Sequence, residues 1–332
     1  MATILVTGGA GYIGSHTTKV LLQRGYDVVV YDSLELGHRE VFKYLPGARF
    51  VQGDIGDGEA VARAVKEHDV DSVIHFAAYA SVPESVAQPK KYYQNNIVKT
   101  LTLLDALNAQ GVKNVLFSSS AATFGETQYV PIDEAHPQRP TNPYGQTKLD
   151  AEHILHWYDV AFGIKSICLR YFCAAGADPE GELGEDHTPE THMIPLTLFA
   201  ALGKRADVKI FGTDYPTPDG TGIRDYIHVT DLATAHVLGL EALKNGADST
   251  AYNLGNGQGY SVRQVIETGR QVTGKAITAI ESPRRPGDPA ELVASSAKIR
   301  KELGWEPKFG DLPTIMRTAY SWFESHPNGY EG

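Results

Sequence analysis

The sequence predicts an α/β fold, with a doubly wound parallel sheet in the first half of the chain and a smaller, loop-rich second domain. Strand patterns and amphipathic helix patterns alternate through that first half, which is typical of a parallel sheet covered by helices on both faces. A glycine-rich turn follows the first strand pattern, and polar residues follow several later ones. Ligands bind at the carboxyl ends of the strands in such sheets, so these positions predict a site.

The strand patterns are short apolar runs at 2–7, 28–31, 49–51, 72–76, 114–117 and 165–169. Helix patterns run from the glycine turn to about residue 24 and then occupy 59–67, 92–110 and 144–162. Glycine and proline become frequent at 174–186 and 213–222, which predicts loops and shorter elements. We therefore expect a first domain at 1–172, with a return segment near 223–245, and a second domain at 173–332.

The first turn has the glycine spacing of a dinucleotide-binding motif. Gly8, Gly11 and Gly14 lie between the strand pattern at 2–7 and a helix pattern. Without side chains at these positions, backbone amides and the helix N-terminus can approach a pyrophosphate. The motif predicts a Rossmann-type nucleotide site, with a purely structural glycine turn as the alternative.

An acidic residue marks the end of the second strand pattern. Asp32 lies 18 residues beyond Gly14, where a carboxylate accepts hydrogen bonds from a ribose 2′-hydroxyl and repels a 2′-phosphate. The next arginine, Arg39, comes seven residues later. The sequence therefore predicts NAD rather than NADP.

A tyrosine and a lysine have the spacing of a proton relay. Of the 17 tyrosines, only Tyr144 has a lysine, Lys148, four residues later. Pro143 favours a helix start, so both side chains share a helical face, and a nearby ammonium favours the phenolate. Alone, the pair is typical of an ordinary surface helix. With the nucleotide motif and a serine run that ends at Ser120, 24 residues upstream, it predicts a base that acts at neutral pH.

Composition argues against several function classes. The formal charge of −10 disfavours nucleic acid or an anionic membrane as the main partner. No run of the sequence approaches the roughly 20 apolar residues that span a bilayer. Cys168 and Cys173 are too few to staple a fold and fit a reducing cytoplasmic location, with a disulfide between them as the alternative.

Seven segments together resemble a known family. They are TGGAGYIGSH from Thr7, GDI from Gly53, SVIHFAA from Ser72, FSSSA from Phe117, NPYGQTK from Asn142, LRYF from Leu169 and DGTGIRDYIHV from Asp219. The sequence resembles the nucleotide-sugar epimerases of the extended short-chain dehydrogenase/reductase family over nearly its whole length. The resemblance implies an NAD-dependent homodimer that interconverts UDP-glucose and UDP-galactose by transient oxidation at C4, turning of the 4-keto sugar and hydride return.

The resemblance also implies roles for individual residues. Tyr144 is the expected base, Ser120 binds and polarises the sugar O4, and Lys148 lowers the pKa of the tyrosine and holds the nicotinamide ribose. The expected cofactor residues are Gly8, Gly11, Tyr12, Ile13, Gly14, Asp32, Asp54, Ile55, Phe76, Ala77, Asn95, Ser118, Tyr144, Lys148 and Tyr171. The expected substrate residues are Ser120, Tyr144, Phe172, His192, Phe211, Arg224, Arg285, Asp288 and Leu292, with Arg285 and Asp288 as a phosphate and ribose pair.

Several alternatives stay open at this point. Leu292 stands where some relatives have a bulky tyrosine, so UDP-N-acetylhexosamines are alternative substrates, as are UDP-xylose and UDP-arabinose. Cys173 replaces an asparagine that usually follows this arginine-tyrosine-phenylalanine motif, which weakens the expectation for phosphate binding. A 4,6-dehydratase would need carboxylates directly after Ser120, where Ala121 and Ala122 stand. A non-catalytic NAD-sensing protein of the same fold is the alternative from another class.

Acidic and histidine residues crowd one segment of the second half. Glu185, Asp186, His187, Glu190 and His192 lie within eight positions. Their order matches no recognised metal-ligand spacing, and a polar substrate loop explains them. We therefore expect no metal.

Overall fold

The computed structural model describes residues 2–285 and 287–331. Its strands are β1 (Thr3–Thr7), β2 (Asp27–Asp32), β3 (Arg49–Gln52), β4 (Val70–His75), β5 (Asn114–Ser120), β6 (Lys165–Tyr171), β7 (Cys173–Ala175), β8 (Val208–Phe211), β9 (Ile223–His228), β10 (Thr250–Leu254), β11 (Gly259–Ser261), β12 (Ala279–Ser282) and β13 (Glu291–Leu292). Its α-helices are α1 (Tyr12–Gln23), α2 (Gly58–Glu67), α3 (Val82–Ala87), α4 (Pro89–Tyr93), α5 (Lys99–Ala109), α6 (Pro143–Phe162), α7 (Met193–Ala201), α8 (Val229–Lys244), α9 (Val262–Thr273), α10 (Ala297–Leu303) and α11 (Leu312–Ser325).

The main sheet is parallel throughout its described part, with strands in the order β10-β6-β5-β4-β1-β2-β3. Side chains of β1 alternate between its two faces, as the pleat requires. Leu5 joins a core with Leu103 of α5, whereas Ile4 joins a core with Leu232 of α8. Apolar side chains therefore cover both faces of the sheet, which confirms the predicted doubly wound fold.

All six predicted strands are in this sheet, but the sequence pattern missed the seventh. β10 pairs in parallel with β6 and extends the sheet at one edge. Within the predicted return segment, α8 packs against the sheet and α1. Its strand β9 instead pairs with β7, β11 and β13 in a smaller sheet. The proposed domain boundary at residue 172 stays a prediction.

The predicted helix at 92–110 is interrupted. α4 and α5 flank a π-helical turn at Gln94–Val98. Within it, the buried Asn96 side chain accepts from the Tyr79 amide at 2.9 Å and donates to the Tyr79 carbonyl at 3.0 Å. It also donates to Thr147 of α6 at 3.2 Å. An extra residue in the helical turn thus directs Asn96 toward its neighbours, and such turns are frequent at functional sites.

The second half of the chain forms the smaller layer. Its core includes Met316 and Trp322 of α11, Leu198 of α7 and Val265 of α9. The small sheet lies beside the carboxyl end of the main sheet, because β7 follows β6 after one residue. In the described residues, no helix has the length and apolar character to cross a membrane.

Candidate active site

The glycine turn between β1 and α1 has the shape of an anion cradle. Gly8 has a φ of +72°, and a Cβ there would lie 2.6 Å from the Ala77 amide nitrogen. A Cβ on Gly14 would overlap the Gly8 carbonyl oxygen. Among the described residues, the amides of Tyr12, Ile13 and Gly14 have no hydrogen-bond acceptor. Three free amides at a helix N-terminus fit a pyrophosphate.

Asp32 holds this turn from the end of β2. Its carboxylate accepts hydrogen bonds from the Ala10 and Leu34 amides, both at 2.9 Å. Burial raises the pKa of Asp32, and the two amides oppose that rise. That this carboxylate accepts from a ribose hydroxyl stays a prediction. Arg39 lies on the Phe50 ring, with its guanidinium carbon 4.8 Å from the ring centroid, and donates at 2.9 Å to Gln52, the register partner of Asp32 in β3.

The remaining predicted cofactor residues lie along the neighbouring strand ends. Phe76 and Ala77 both donate their amides to the Thr7 carbonyl, which fixes the segment after β4 against the glycine turn. Asp54 forms an ion pair with Lys99 at 2.6 Å. Burial raises the pKa of Asp54, but the Lys99 ammonium and the Gly56 amide together outweigh burial and lower the pKa.

Two predicted cofactor residues differ in their surroundings. Ile55 is buried in the core between the sheet and α2. Asn95 is half-buried and donates to the Asn96 side chain at 3.1 Å. Asn96, which the sequence analysis did not single out, makes the contacts that anchor this turn.

The start of α6 places Tyr144. Asn142 caps the helix by accepting from the Gly145 amide at 2.8 Å, and Pro143 occupies the first turn. A Cβ on Gly145 would overlap the Ala122 carbonyl. The glycine therefore allows the helix to start close against the turn that follows β5, with Tyr144 beside Ser120.

Burial dominates the electrostatics of the two predicted relay residues. Tyr144 is only 9% exposed; burial raises its pKa, and the neighbouring Ser120 hydroxyl opposes that rise. Burial lowers the pKa of Lys148 to about 7, opposed by Glu152. Its ammonium nitrogen donates to the Ser118 carbonyl at 2.7 Å and lies 5.9 Å from the Tyr144 ring centroid.

The expectation that Lys148 lowers the pKa of Tyr144 stays a prediction. A low-dielectric interior disfavours the charged forms of both residues, phenolate and ammonium alike, and Ser120 is the group that opposes burial at the tyrosine.

A buried polar network supports the site from behind. Arg170 of β6 donates to Glu152 of α6 at 2.6 Å, and Glu152 also accepts from Ser119 of β5. A hydrogen bond joins Ser118 to the hydroxyl of Tyr171. These contacts tie α6, β5 and β6 together. The sequence analysis missed Glu152 and Arg170, because nothing in their 18-residue separation marks them as partners.

Strand pairing assembles part of the predicted substrate side. Arg224 of β9 and Leu292 of β13 are register partners, and Arg224 forms an ion pair with Asp288. The expectation that Arg285 contacts the phosphate and Asp288 the ribose stays a prediction. Arg285 lies over the Phe211 ring, with its guanidinium carbon 4.0 Å from the centroid.

The other substrate-side residues lie in two groups. Leu292 packs against the buried cluster that contains Phe172. Both cysteines are free thiols; burial raises the pKa of the Cys173 thiol, and the nearby Arg224 and His192 charges oppose it. Cys173, Arg224 and His192 therefore lie close together. His192 also forms ion pairs with Glu185 and Glu190.

The chain belongs to the NAD dependent epimerase/dehydratase family, whose sequence model matches residues 4–255. It is similar to the UDP-glucose 4-epimerase of Lacticaseibacillus casei, with 52% identity over 328 residues that cover 99% of this chain and 98% of that protein. Among solved structures it is similar to the UDP-glucose 4-epimerase from Brucella ovis in complex with NAD, with a TM-score of 0.94 and 48% identity over 97% of this chain and 98% of that one. The UDP-glucose 4-epimerase from Bifidobacterium longum, in complex with NAD+ and UDP, has a TM-score of 0.93 and 40% identity, covering 99% of this chain and 100% of that one.

Proposed function

We propose that the chain interconverts UDP-glucose and UDP-galactose by epimerisation at C4, with NAD as its cofactor. The observation that carries this proposal is the Tyr144 hydroxyl, buried beside Ser120 at the carboxyl edge of the sheet. The similar proteins of L. casei and B. ovis are both UDP-glucose 4-epimerases, and the latter was solved with NAD. The similar structure from B. longum holds NAD+ and UDP.

The chain has residues that fit each part of the cofactor. The amides of Tyr12, Ile13 and Gly14 would hold the pyrophosphate, and Asp32 would accept from the adenosine ribose. Lys148 would donate to the nicotinamide ribose. When bound, NAD supplies reversible hydride transfer, which allows transient oxidation at C4, turning of the 4-keto sugar and hydride return to its opposite face.

Tyr144 and Ser120 carry the proton chemistry in this proposal. Tyr144 removes the proton of the 4-hydroxyl and gives it back when C4 is reduced. Ser120 hydrogen-bonds to O4, and its contact with Tyr144 favours the phenolate. Asn142, Gly145 and the buried Glu152 hold the tyrosine in place, because they fix the start and the body of α6.

Cations on the substrate side would hold the diphosphate, away from the sugar ring that has to turn. Arg224 is the better placed, since it lies beside Cys173 and its side chain is only 16% exposed. Arg285 would form the second contact from its position over Phe211. Guanidinium groups suit this role because their planar N–H groups match phosphate oxygens.

The test is conversion of UDP-galactose to UDP-glucose by the purified chain, with and without added NAD. Tyr144→Phe should reduce turnover at least about 100-fold, the contribution typical of a positioned base, while bound NAD is retained. Tyr158→Phe removes a hydroxyl from the same helix that bonds to Asp105, and it should leave turnover unchanged. If the unvaried chain and Tyr144→Phe turn over equally fast, Tyr144 is not the base.

Acetylated sugars are a second candidate substrate class because Leu292 lies near the predicted sugar pocket. It packs against a buried cluster that contains both Phe172 and Ala121. Ala121 directly follows Ser120. A leucine leaves more room there than a tyrosine. Leu292→Tyr should therefore reduce turnover of UDP-N-acetylglucosamine far more than that of UDP-glucose. If both rates fall equally, Leu292 does not select the sugar.

We further propose a homodimer, formed through the outer faces of α6 and of the π-helical turn at Gln94–Val98 that leads into α5. Val98, Trp157 and Val160 are large apolar side chains that are 46%, 64% and 65% exposed. Trp157 and Val160 share a face of α6 because they are three residues apart. Trp157→Asp should give a monomer by light scattering; a dimer of unchanged stability would exclude this face.

The two free cysteines support a cytoplasmic location.

A further inference from the structure

The loop between β7 and α7 brings together four side chains that the proposed mechanism does not use as a group. One ligand atom from each of Glu185, His187, Glu190 and His192 lies within 4.8 Å of all the others. The Nδ1 atom of His192 is 2.8 Å from Glu185 and forms a hydrogen bond of 2.9 Å with Glu190 Oε1. The Nδ1 atom of His187 is 3.1 Å from Glu185 and 3.6 Å from the other Glu190 oxygen, Oε2.

These separations match the edges of a tetrahedral coordination shell. Metal–nitrogen and metal–oxygen bonds of about 2.0–2.1 Å place neighbouring donors roughly 3.3 Å apart. The donor set is two imidazoles and two carboxylates, which are the ligand types that zinc accepts. Two carboxylate charges would also balance a dication.

Two atoms in the cluster are close to partners without being oriented toward them. His187 Nδ1 and Glu190 Oε2 are buried, and neither has a hydrogen-bond partner among the described residues. The Glu190 side chain is only 4% exposed. Such short contacts lack the angles of a hydrogen bond. This geometry is expected when the lone pairs of several atoms point toward one common position. Buried polar atoms without partners are rare in folded proteins, so these two atoms indicate a ligand between them.

We propose that Glu185, His187, Glu190 and His192 form a binding site for one divalent transition-metal ion, with zinc as the ion that fits best. The role of this ion is structural, because the four protein donors complete a tetrahedral shell. It would fasten the loop that precedes α7 close to the nucleotide turn, since the Tyr12 ring lies edge-on to His187 at 6.2 Å. It would also fix His192, whose Nδ1 binds the metal and whose Nε2 then keeps its proton.

The competing account is a network of ion pairs between two imidazolium groups and two carboxylates. Burial lowers the pKa of His187, but the carboxylates of Glu185 and Glu190 outweigh burial and raise it to about 9. The same carboxylates raise the pKa of His192 despite burial. Both accounts neutralise the buried carboxylates, so metal binding itself has to be measured.

The experiment uses the full chain without an affinity tag that contains histidine, treated with a chelator and then titrated with zinc against a chromophoric chelator. We expect one equivalent of zinc per chain. Cobalt(II) in the same site should show the intense visible absorption of tetrahedral coordination. Neither readout depends on epimerase activity, so the result is independent of the proposed function.

Variants locate the site. His187→Gln should weaken zinc binding by more than the roughly 10–100-fold that losing a mere supporting partner of a ligand costs, and Glu190→Gln should do the same. His156→Gln, which replaces an exposed histidine on α6, should leave the affinity unchanged. Circular dichroism establishes that each variant is folded. If His187→Gln fails to fold, Glu190→Gln and the cobalt spectrum of the unvaried chain still decide.

The proposal is overturned if the unvaried chain takes up no stoichiometric zinc. It is also overturned if His187→Gln and His156→Gln bind zinc equally well, or if cobalt gives only the weak absorption of octahedral coordination. In the first two cases the cluster is a network of ion pairs, and in the third it is not the tetrahedral site proposed.

Discussion

Replacing Lys148 by methionine should raise stability while it abolishes turnover. The Lys148 side chain is buried and donates to the Ser118 carbonyl at 2.7 Å. Burial lowers its pKa from 10.5 to about 7 in the folded chain, whereas the unfolded chain keeps the ordinary value. Between these two pH values, folding therefore releases a proton, and the stability of the unvaried chain rises with pH.

The size of the effect follows from the two pKa values. The fall from 10.5 to about 7 corresponds to about 4 kcal/mol of lost stability near pH 7 and about 2 kcal/mol near pH 9. This loss is fully present below about pH 7 and disappears as the pH approaches 10.5. Methionine removes it, but also removes the donor to the Ser118 carbonyl, at a cost of about 1–3 kcal/mol. Lys148→Met should then be about 1–3 kcal/mol more stable than the unvaried chain near pH 7, and about equally stable near pH 9.

The assay is urea unfolding at both pH values, after bound nucleotide has been removed. Groups that titrate alike in the two proteins cancel in the difference between them. Lys301→Met, at an exposed position of α10, measures what a lysine-to-methionine change does on the surface. The reasoning is refuted if Lys148→Met is the less stable protein at both pH values by an amount that does not change with pH.

Two further substitutions test the framework of the site. Gly14→Ala should lower the NAD content of the purified chain and its thermal stability, because the new Cβ overlaps the Gly8 carbonyl; a normal NAD content would contradict this. Glu152→Gln should lower the free energy of unfolding by about 3–5 kcal/mol, since it leaves Arg170 buried without its carboxylate. In the same urea titration, Glu59→Gln breaks only a surface ion pair and should change stability by less than about 1 kcal/mol.

The main sheet was predictable where local pattern decides the structure. Six of its strands are short runs with an apolar pattern, and helix patterns follow β1, β3, β4 and β5. β10 differs because its burial depends on distant segments. Its Asn253 is fully buried, and its side-chain amide donates to the Ile132 carbonyl at 3.0 Å. This polar residue interrupts the apolar pattern of the strand. The Glu134 carboxylate accepts a hydrogen bond from the backbone amide of Asn253 at 2.8 Å. A polar residue that is buried by such long-range contacts cannot be read as a strand signal from sequence alone.

The site divides in the same way. Gly14, Asp32 and Tyr144 belong to short motifs in which spacing along the chain determines spacing in the fold, so the sequence predicted their positions. The pairing of Arg224 with Asp288 spans 64 residues, and the register of β9 with β13 decides it. The sequence therefore named Arg224 and Asp288 through resemblance but could not show that they form an ion pair.

Gly145 shows how a local motif contains geometry that the motif alone does not reveal. The sequence does not indicate a role for this residue, because a glycine in the first turn of a helix is ordinarily just a weak helix former. In the fold, a Cβ at this position would overlap the Ala122 carbonyl. Any larger residue would push the start of α6 away from the turn after β5, and Tyr144 would move with it away from Ser120. The contact that favours the phenolate thus depends on a missing side chain one residue away, so the glycine is as necessary to the proposed chemistry as the tyrosine that it follows.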